Sequence, residues 1–230
     1  MRLTAELVRD APSYMNALQQ RELGLRGYRI PVIENLGVTQ NQYQAMDLSE
    51  NELIKLDNFP VLTKLESILM SNNRVSRVAT GLGKYLPNLD TLVLTNNKIS
   101  KLSDLNPLSH ITSLTSLILV NNPVCKQAGY RLYCIHRLPS LKVLDFQKVK
   151  PAEREAAKAR FGELNLEEEK EEPEQEAMQD EEEKEDNTFT PGDKVGLTPE
   201  ERAKIMEQIS AATSLEEIER LEKLLAQGSK

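Results

Sequence analysis

The sequence predicts an α/β solenoid, in which short parallel strands stack side by side and turns or brief helices return along the outer side. Three observations predict it. Residues 89–99 place leucines and one asparagine at a spacing that suits a strand followed by a sharp bend. Similar segments recur, so that Asn51, Asn73, Asn97 and Asn122 lie 22, 24 and 25 residues apart. Aromatic residues make up only 4% of the chain and Trp is absent, which favours a core of aliphatic layers.

The clearest repeat is residues 89–99, Leu-Asp-Thr-Leu-Val-Leu-Thr-Asn-Asn-Lys-Ile. It matches the consensus L-x-x-L-x-L-x-x-N-x-L of leucine-rich repeats without interruption. We expect a strand at 92–94 and a bend at Asn97, whose side chain should turn inward and hydrogen-bond the backbone groups that the bend leaves unpaired. A single repeat cannot bury its own leucines, so the copies must stack into one leucine-rich repeat solenoid.

The predicted array contains four full copies and one degenerate copy of this repeat. The degenerate copy comes first, at 23–30, with Tyr28 in the asparagine position. The full copies share their apolar and asparagine positions, which are Tyr43, Met46, Leu48, Asn51 and Leu53; Leu65, Ile68, Met70, Asn73 and Val75; Leu89, Leu92, Leu94, Asn97 and Ile99; and Leu114, Leu117, Leu119, Asn122 and Val124. Such short repeats leave room on the outer side for a 3₁₀ turn or brief helix, anchored by Leu56, Val78 and Leu102.

The array needs an N-terminal cap and a C-terminal cap, because each end would otherwise expose the apolar core. At the N-terminus, residues 3–18 are expected to form a helix that is capped by Thr4 and broken near Pro12. The expected C-terminal cap comprises, in order, a helix at 130–139, a final strand carrying Leu141, Leu144 and Phe146, and a closing helix at 151–161.

The net charge of −7 is unevenly distributed along the chain. Residues 163–186 hold 14 acidic and 2 basic side chains, residues 187–230 hold 8 and 6, and the residues before 163 hold the remaining 14 and 21. The three parts therefore carry −12, −2 and +7. The acidity lies in one short run that lacks apolar periodicity and is typical of a self-repelling, disordered segment.

We therefore predict three regions. Residues 1–162 form the repeat domain with its caps, residues 163–196 form a disordered acidic linker, and residues 197–230 form a helical tail. The tail is expected to hold a pair of amphipathic helices, because capping boxes at 198–201 and 214–217 each precede apolar residues at helical spacing.

Several function classes are disfavoured by what the sequence lacks. No run of 18 apolar residues and no apolar signal-peptide core is present, so we expect an intracellular protein that does not contact membranes. Cys125 and Cys134 have no partners at zinc-ligand spacing, so neither a metal nor another cofactor is expected. The chain has no nucleotide-binding or metalloprotease motif, and His110 and His136 are its only histidines. We therefore expect no enzymatic activity.

Two segments that the repeat does not dictate carry a more specific resemblance. Residues 26–37, Arg-Gly-Tyr-Arg-Ile-Pro-Val-Ile-Glu-Asn-Leu-Gly, and the stretches Tyr-Arg-Leu-Tyr at 130–133 and Val-Leu-Asp-Phe-Gln-Lys-Val-Lys at 143–150 resemble the A-prime family of the U2 small nuclear ribonucleoprotein. The likeness runs from residue 1 to about 161 and returns at 213–221.

The resemblance implies a nuclear, non-catalytic scaffold of the spliceosome that acts in pre-mRNA splicing. It implies a heterodimer with the B-double-prime protein, which has an RNA-recognition motif, and binding to a stem-loop of U2 small nuclear RNA. It also implies that the concave sheet grips a helix of the partner. We expect the tail to contact other spliceosomal proteins.

Candidate site residues follow from strand alternation, because residues that flank the inward leucines face the concave side. The expected partner-binding residues form an apolar strip with its rim, and they are Leu69, Val93, Thr95, Ile118, Val120 and Val143. The expected RNA-phosphate contacts are Arg26, Arg29, Lys148 and Lys150, although ordinary solvation explains such charges equally well. Since no exposed aromatic platform is expected beside them, RNA binding by this chain alone should be weak and directed to phosphates.

Two other function classes remain open at this stage. One is a regulator of a protein phosphatase that resembles the Sds-type leucine-rich proteins; the short array and residues 26–37 count against it. The other is an acidic nuclear protein that binds histones. Against that alternative, the acidic run is short and is followed by two well-capped helices.

Overall fold

The computed structural model describes residues 2–162, so the predicted linker at 163–196 and tail at 197–230 lie outside the described residues. The strands are β1 (Ser13–Met15), β2 (Arg21–Gly24), β3 (Ala45–Asp47), β4 (Lys55–Leu56), β5 (Ser67–Leu69), β6 (Arg77–Val78), β7 (Thr91–Val93), β8 (Ser116–Ile118), β9 (Val143–Leu144) and β10 (Gln147–Lys148). The α-helices are α1 (Ala5–Asp10), α2 (Leu82–Tyr85), α3 (Tyr130–Arg137) and α4 (Pro151–Phe161), and the 3₁₀ helices span Leu36–Thr39, Leu102–His110 and Pro123–Lys126.

Eight strands form one sheet in the order β1-β2-β3-β5-β7-β8-β9-β10, and β4 pairs with β6 on the outer side of the repeats. The strands from β2 to β9 run parallel in this sheet, whereas the edge strands β1 and β10 run antiparallel to their neighbours. This arrangement confirms the predicted leucine-rich repeat solenoid. Among residues 2–162, no helix is long and apolar enough to cross a membrane.

The inward leucine positions of successive repeats lie in register. One such row pairs Leu23, Met46, Ile68, Leu92, Leu117 and Leu144 across neighbouring strands. Every member is at most 1% exposed. Burying an aliphatic side chain of this size contributes about 1.5–3 kcal/mol, so each row holds adjacent repeats together.

The turn asparagines behave as predicted and link each repeat to the one before it. Asn97 is 3% exposed, and its side-chain amide donates to the carbonyl oxygens of Met70 at 2.9 Å and Leu94 at 3.0 Å. Its oxygen accepts from the backbone N–H of Val75 at 2.9 Å. Asn51, Asn73 and Asn122 make equivalent bonds. No buried side-chain nitrogen or oxygen in the described residues lacks a partner.

The outer side of the repeats contains 3₁₀ turns and the single-turn helix α2, as the repeat length predicts, together with the short strands β4 and β6, which were not predicted. Leu56 is fully buried and Val78 is 7% exposed, which confirms that both point inward, but they lie in the paired strands β4 and β6 and not in the predicted 3₁₀ turn or helix. Leu102 is half-buried and packs against the core at the start of the longest 3₁₀ helix.

The N-terminal cap differs from the prediction. Helix α1 begins where expected, since the Thr4 hydroxyl accepts from the Leu7 N–H at 3.2 Å, but it ends at Asp10. The predicted break near Pro12 is confirmed, but the prediction that the helix continues to residue 18 was wrong. Ala11 precedes a proline and is extended, with φ −63° and ψ 141°, so the chain leaves the helix and forms the edge strand β1.

The C-terminal cap follows the prediction except at Phe146. Helices α3 and α4 lie where expected, and Tyr130 and Cys134 bury one face of α3. Phe146 was expected to end the final strand, but it is 73% exposed in the turn between β9 and β10. The strand ends early because Asp145 and Phe146 both have positive φ, at 49° and 63°, and the chain therefore reverses direction.

Candidate partner and RNA interface

The predicted apolar strip lies on the sheet face opposite the core, which is the concave face of such a solenoid. Leu69 pairs in register with Val93, and Val93 pairs with Ile118, so the three side chains form a continuous row. Leu69 and Val93 are half-buried, whereas Ile118 is only 8% exposed. The strip is therefore present, but its Ile118 end is more covered than the sequence predicted.

The remaining predicted partner-binding residues lie on the same face beside this row. Thr95 and Val120 each stand two positions after a member of the row, and alternation along a strand places such residues on one face. Val143 pairs with Ser116, two positions before Ile118. Thr95, Val120 and Val143 are all half-buried. The structure thus brings all six predicted residues together on one surface.

The β1 end of the concave face is polar and acidic. The row continues from Leu69 to Asp47, and Asp47 is 9% exposed with an oxygen that accepts from the Ser49 N–H at 2.9 Å. Glu22 is 6% exposed and accepts from the Tyr14 hydroxyl at 2.9 Å, which is the main cause of the raised pKa of Tyr14. Tyr14, Arg26 and Asp47 line a pocket of about 410 Å³. This end suits a cationic or hydrogen-bonding group.

The four predicted phosphate contacts do not form one cluster. Arg26 and Arg29 follow β2 near one edge of the sheet, whereas Lys148 lies in β10 at the other edge and Lys150 precedes α4. Arg26 is also engaged, because its guanidinium pairs with Glu50 at 2.6 Å, and this hydrogen bond raises the pKa of Arg26. Basic groups therefore flank both ends of the sheet.

Exposed aromatic side chains accompany the basic residues at both edges. Tyr14 is 48% exposed beside Arg26, and Phe146 is 73% exposed two residues before Lys148. The expectation that no aromatic platform is present was therefore wrong. Sequence reasoning missed Tyr14 because it placed this residue in a helix, and it missed Phe146 because it placed this residue in the final strand.

Asp145, which the sequence presents as an isolated acid, has a structural role. One carboxylate oxygen accepts from the Leu119 N–H at 2.7 Å and the other accepts from the Tyr130 hydroxyl at 2.8 Å. Asp145 thus provides the acceptor for the Leu119 N–H of the last full repeat, which no further turn asparagine follows. Burial raises the pKa of Tyr130 and keeps this hydroxyl protonated as a donor.

No group of three His, Cys, Asp or Glu side chains in residues 2–162 could hold a metal ion. Cys134 is buried and Cys125 is half-buried. Burial raises the pKa of both thiols, so they stay protonated near neutral pH.

Comparison with known proteins identifies relatives along the whole chain. A leucine-rich repeat family model matches residues 1–171. The chain is 44% identical to the human U2 small nuclear ribonucleoprotein A' over 99% of its own length and 89% of the human protein. The corresponding values are 44%, 99% and 91% for the Arabidopsis thaliana protein of that name, and 40%, 99% and 98% for the Schizosaccharomyces pombe one.

A comparison with solved structures identifies the same family. The crystal structure of the Drosophila melanogaster SNF/U2A' complex contains a chain that is 43% identical and superposes with a TM-score of 0.69. The match covers 73% of this chain and 97% of the Drosophila chain. The repeats and both caps agree with this match, and the relatives are 40–44% identical over 99% of this chain. The chain therefore belongs to the U2 small nuclear ribonucleoprotein A' family.

Proposed function

We propose that this chain is a non-catalytic scaffold of the U2 small nuclear ribonucleoprotein in pre-mRNA splicing, and that it works in the nucleus. Its concave face binds one helix of an RNA-recognition-motif protein of the B-double-prime type. Together the two proteins bind a stem-loop of U2 small nuclear RNA.

The continuous row of Leu69, Val93 and Ile118 is the observation that carries this proposal. An apolar row on a solvent-facing sheet gains free energy when a partner covers it, and the row is bordered by the small polar Ser71 and Thr95. An amphipathic helix presents an apolar stripe of comparable width. The relative of known structure was crystallised as a complex with SNF, so a protein partner has a precedent within the family.

Charge supports the RNA part of the proposal. Residues before 163 carry 21 basic and 14 acidic side chains, and exposed basic groups lie at both edges of the sheet. An RNA stem held by the partner over the concave face would bring phosphates towards Arg26 and Arg29 or towards Lys148 and Lys150. Such contacts strengthen binding without reading the base sequence.

The tail at 197–230 completes the proposal. We assign it to contacts with other spliceosomal proteins, on the basis of its two capping boxes and amphipathic spacing. The acidic run before it repels phosphates and therefore keeps the tail away from RNA.

The test is to purify the tagged full chain from cells at moderate salt and to identify the RNA and proteins that accompany it. We expect U2 small nuclear RNA together with one RNA-recognition-motif protein. Recovery of a phosphatase catalytic subunit or of histones, without U2 RNA, would replace this proposal with one of the two alternative functions. The Val93→Asp variant serves as the negative control, because its purification should recover neither the partner protein nor the RNA.

A further inference from the structure

The hairpin between β9 and β10 presents an aromatic side chain in an unfavourable backbone conformation. Leu144 pairs with Gln147, so Asp145 and Phe146 form a two-residue turn, and both have positive φ. Turns of this kind normally contain Asn-Gly or Asp-Gly, because a bulky residue at positive φ is strained. Phe146 occupies the glycine position with its ring 73% exposed. Neither the backbone nor the core accounts for a phenylalanine here.

The surrounding structure holds this turn rigidly. Asp145 is fixed by its bonds from the Leu119 N–H and the Tyr130 hydroxyl. The Arg131 guanidinium donates to the carbonyl oxygens of Leu144 at 3.2 Å and Lys148 at 3.3 Å, and it also forms an ion pair with Glu153 at 2.7 Å. One guanidinium therefore ties both strands of the hairpin to α4. Strained conformations that neighbours fix in this way are found mainly at functional sites.

The setting of Phe146 indicates the chemistry of its ligand. Gln147, Lys148 and Lys150 are all exposed. Lys148 pairs in register with Val143, and residues that lie opposite each other share a face, so Lys148 lies on the concave side. An exposed ring with two exposed lysines two and four residues further along the chain suits an unpaired nucleotide, whose base stacks while its phosphate pairs with a cation. A purely apolar protein pocket would gain nothing from these lysines.

We propose that Phe146 stacks on an unpaired base of the bound RNA while Lys148 and Lys150 hold the adjacent phosphates. This inference rests on the proposed RNA-binding function and deepens it, because it gives this chain a direct base contact as well as a phosphate contact. Stacking requires no particular base, so the contact adds affinity for single-stranded nucleotides without adding sequence specificity.

The test measures binding of the full chain, at low ionic strength, to a labelled single-stranded RNA of about 12 nucleotides, a length within the range that such sites cover, and to a blunt duplex of equal length. We expect Phe146→Ala to weaken binding of the single strand by roughly fivefold or more and to leave duplex binding unchanged. Phe146→Tyr should retain binding, whereas Phe146→Leu should lose it, since leucine has similar volume but no ring. Replacing Lys148 and Lys150 with Gln should weaken binding to both RNAs and reduce its salt dependence.

Phe146→Asn controls for folding, because asparagine tolerates positive φ. This variant should melt at or above the wild-type temperature, yet its affinity for the single strand should be reduced as in Phe146→Ala. The inference would be overturned if the wild-type chain bound the single strand and Phe146→Ala bound it with the same affinity. A variant that loses a protein partner in the absence of RNA while keeping its RNA affinity would also overturn it. If the wild-type chain bound neither RNA, the inference would fail, whereas the proposed function fails only if purification recovers neither U2 RNA nor its protein partner.

Discussion

The side-chain oxygen of Asn97 accepts a hydrogen bond from the backbone N–H of Val75, which belongs to the preceding repeat, at 2.9 Å. The neighbouring Asn96 provides a matched contrast, because its side chain is exposed and bonds only the Asn72 amide oxygen at 2.9 Å among the hydrogen bonds described. The buried asparagine therefore joins repeats through the backbone, and the exposed one through a side chain in water.

Asn97→Asp should reduce the free energy of unfolding by about 3 kcal/mol or more. The carboxylate cannot donate, so the carbonyl oxygens of Met70 and Leu94 lose their partner and face a buried negative charge. Asn96→Asp keeps the same chemical change in an exposed site and should cost under about 0.5 kcal/mol. Urea unfolding of both variants checks this, and equal losses would contradict the role assigned to Asn97.

Leu69→Asp combined with Val93→Asp should abolish binding of the RNA-recognition-motif partner. Both side chains are half-buried on the concave face, so aspartate there remains hydrated in the free protein but loses water under a partner helix. Ile118 is a poorer target because it is 8% exposed and its replacement would also destabilise the fold.

Isothermal titration with the partner and thermal melting of the free protein measure these two effects separately. Ile54→Asp is the control, since Ile54 is 52% exposed outside the eight-stranded sheet and should leave binding intact. Normal partner binding by the double variant would exclude the strip from the interface.

Protonation of Glu153 should make the fold less stable in acid. Hydrogen bonds from Arg131, and then from the Lys150 N–H, lower the pKa of Glu153 from 4.5 to about 2. Because the folded pKa lies below the unfolded one, the stabilisation is present above about pH 4.5 and disappears as the pH falls towards 2. Glu153→Gln should therefore cost about 1.5 kcal/mol at pH 7 and almost nothing near pH 2.

Chemical denaturation at several pH values checks this prediction. Glu155→Gln, an exposed substitution on the same helix, should change stability little at any pH. A loss in Glu153→Gln that stayed constant from pH 7 to pH 2 would show that packing, and not the charge, accounts for it.

Deletion of residues 163–186 should strengthen RNA binding. It removes 14 acidic and 2 basic side chains and so changes the net charge from −7 to +5. The gain should be largest at low ionic strength, because salt screens the repulsion. RNA titrations at two salt concentrations measure it. A variant in which the same glutamates and aspartates become glutamine and asparagine should behave like the deletion, and a failure to do so would assign the effect to length.

Truncation after Phe161 should leave the complex with the partner protein and the RNA intact. The residues of the apolar strip and the four basic residues all precede this point. Association with other spliceosomal proteins should weaken, which affinity purification of the truncated chain would reveal. Loss of the RNA-recognition-motif partner would place the tail within the concave interface.

The repeats could be predicted because each one uses the same two kinds of residue for the same physical reason. Leucines at fixed intervals must be buried, and an asparagine at the bend must satisfy backbone groups, so Leu92 and Asn97 identify the strand and the turn without further information. The concave row followed directly from strand alternation. Helix α4 was also predictable from its strong helix formers and its first-turn proline.

The two edge hairpins could not be predicted in the same way. All three residues of β1 are exposed, so no burial pattern marks Tyr14 as part of a strand. The turn at Asp145 and Phe146 has no glycine, and its conformation depends on Tyr130, Leu119 and Arg131, which contact it only in the folded state. The repeat-like spacing from Leu141 to Phe146 suggested a strand position for Phe146, whereas the tertiary contacts of Asp145 determine its exposure.

The direction of the asparagine bonds has a consequence for synthesis on the ribosome. Each turn asparagine accepts from a backbone N–H that lies earlier in the chain, by 21 residues for Ile30, 20 for Leu53, 22 for Val75 and 23 for Ile99. A nascent repeat therefore cannot complete its own hydrogen bonds when it leaves the exit tunnel. It must wait until the next asparagine has been translated, so the newest repeat always completes the one before it, and the last repeat waits for Asp145.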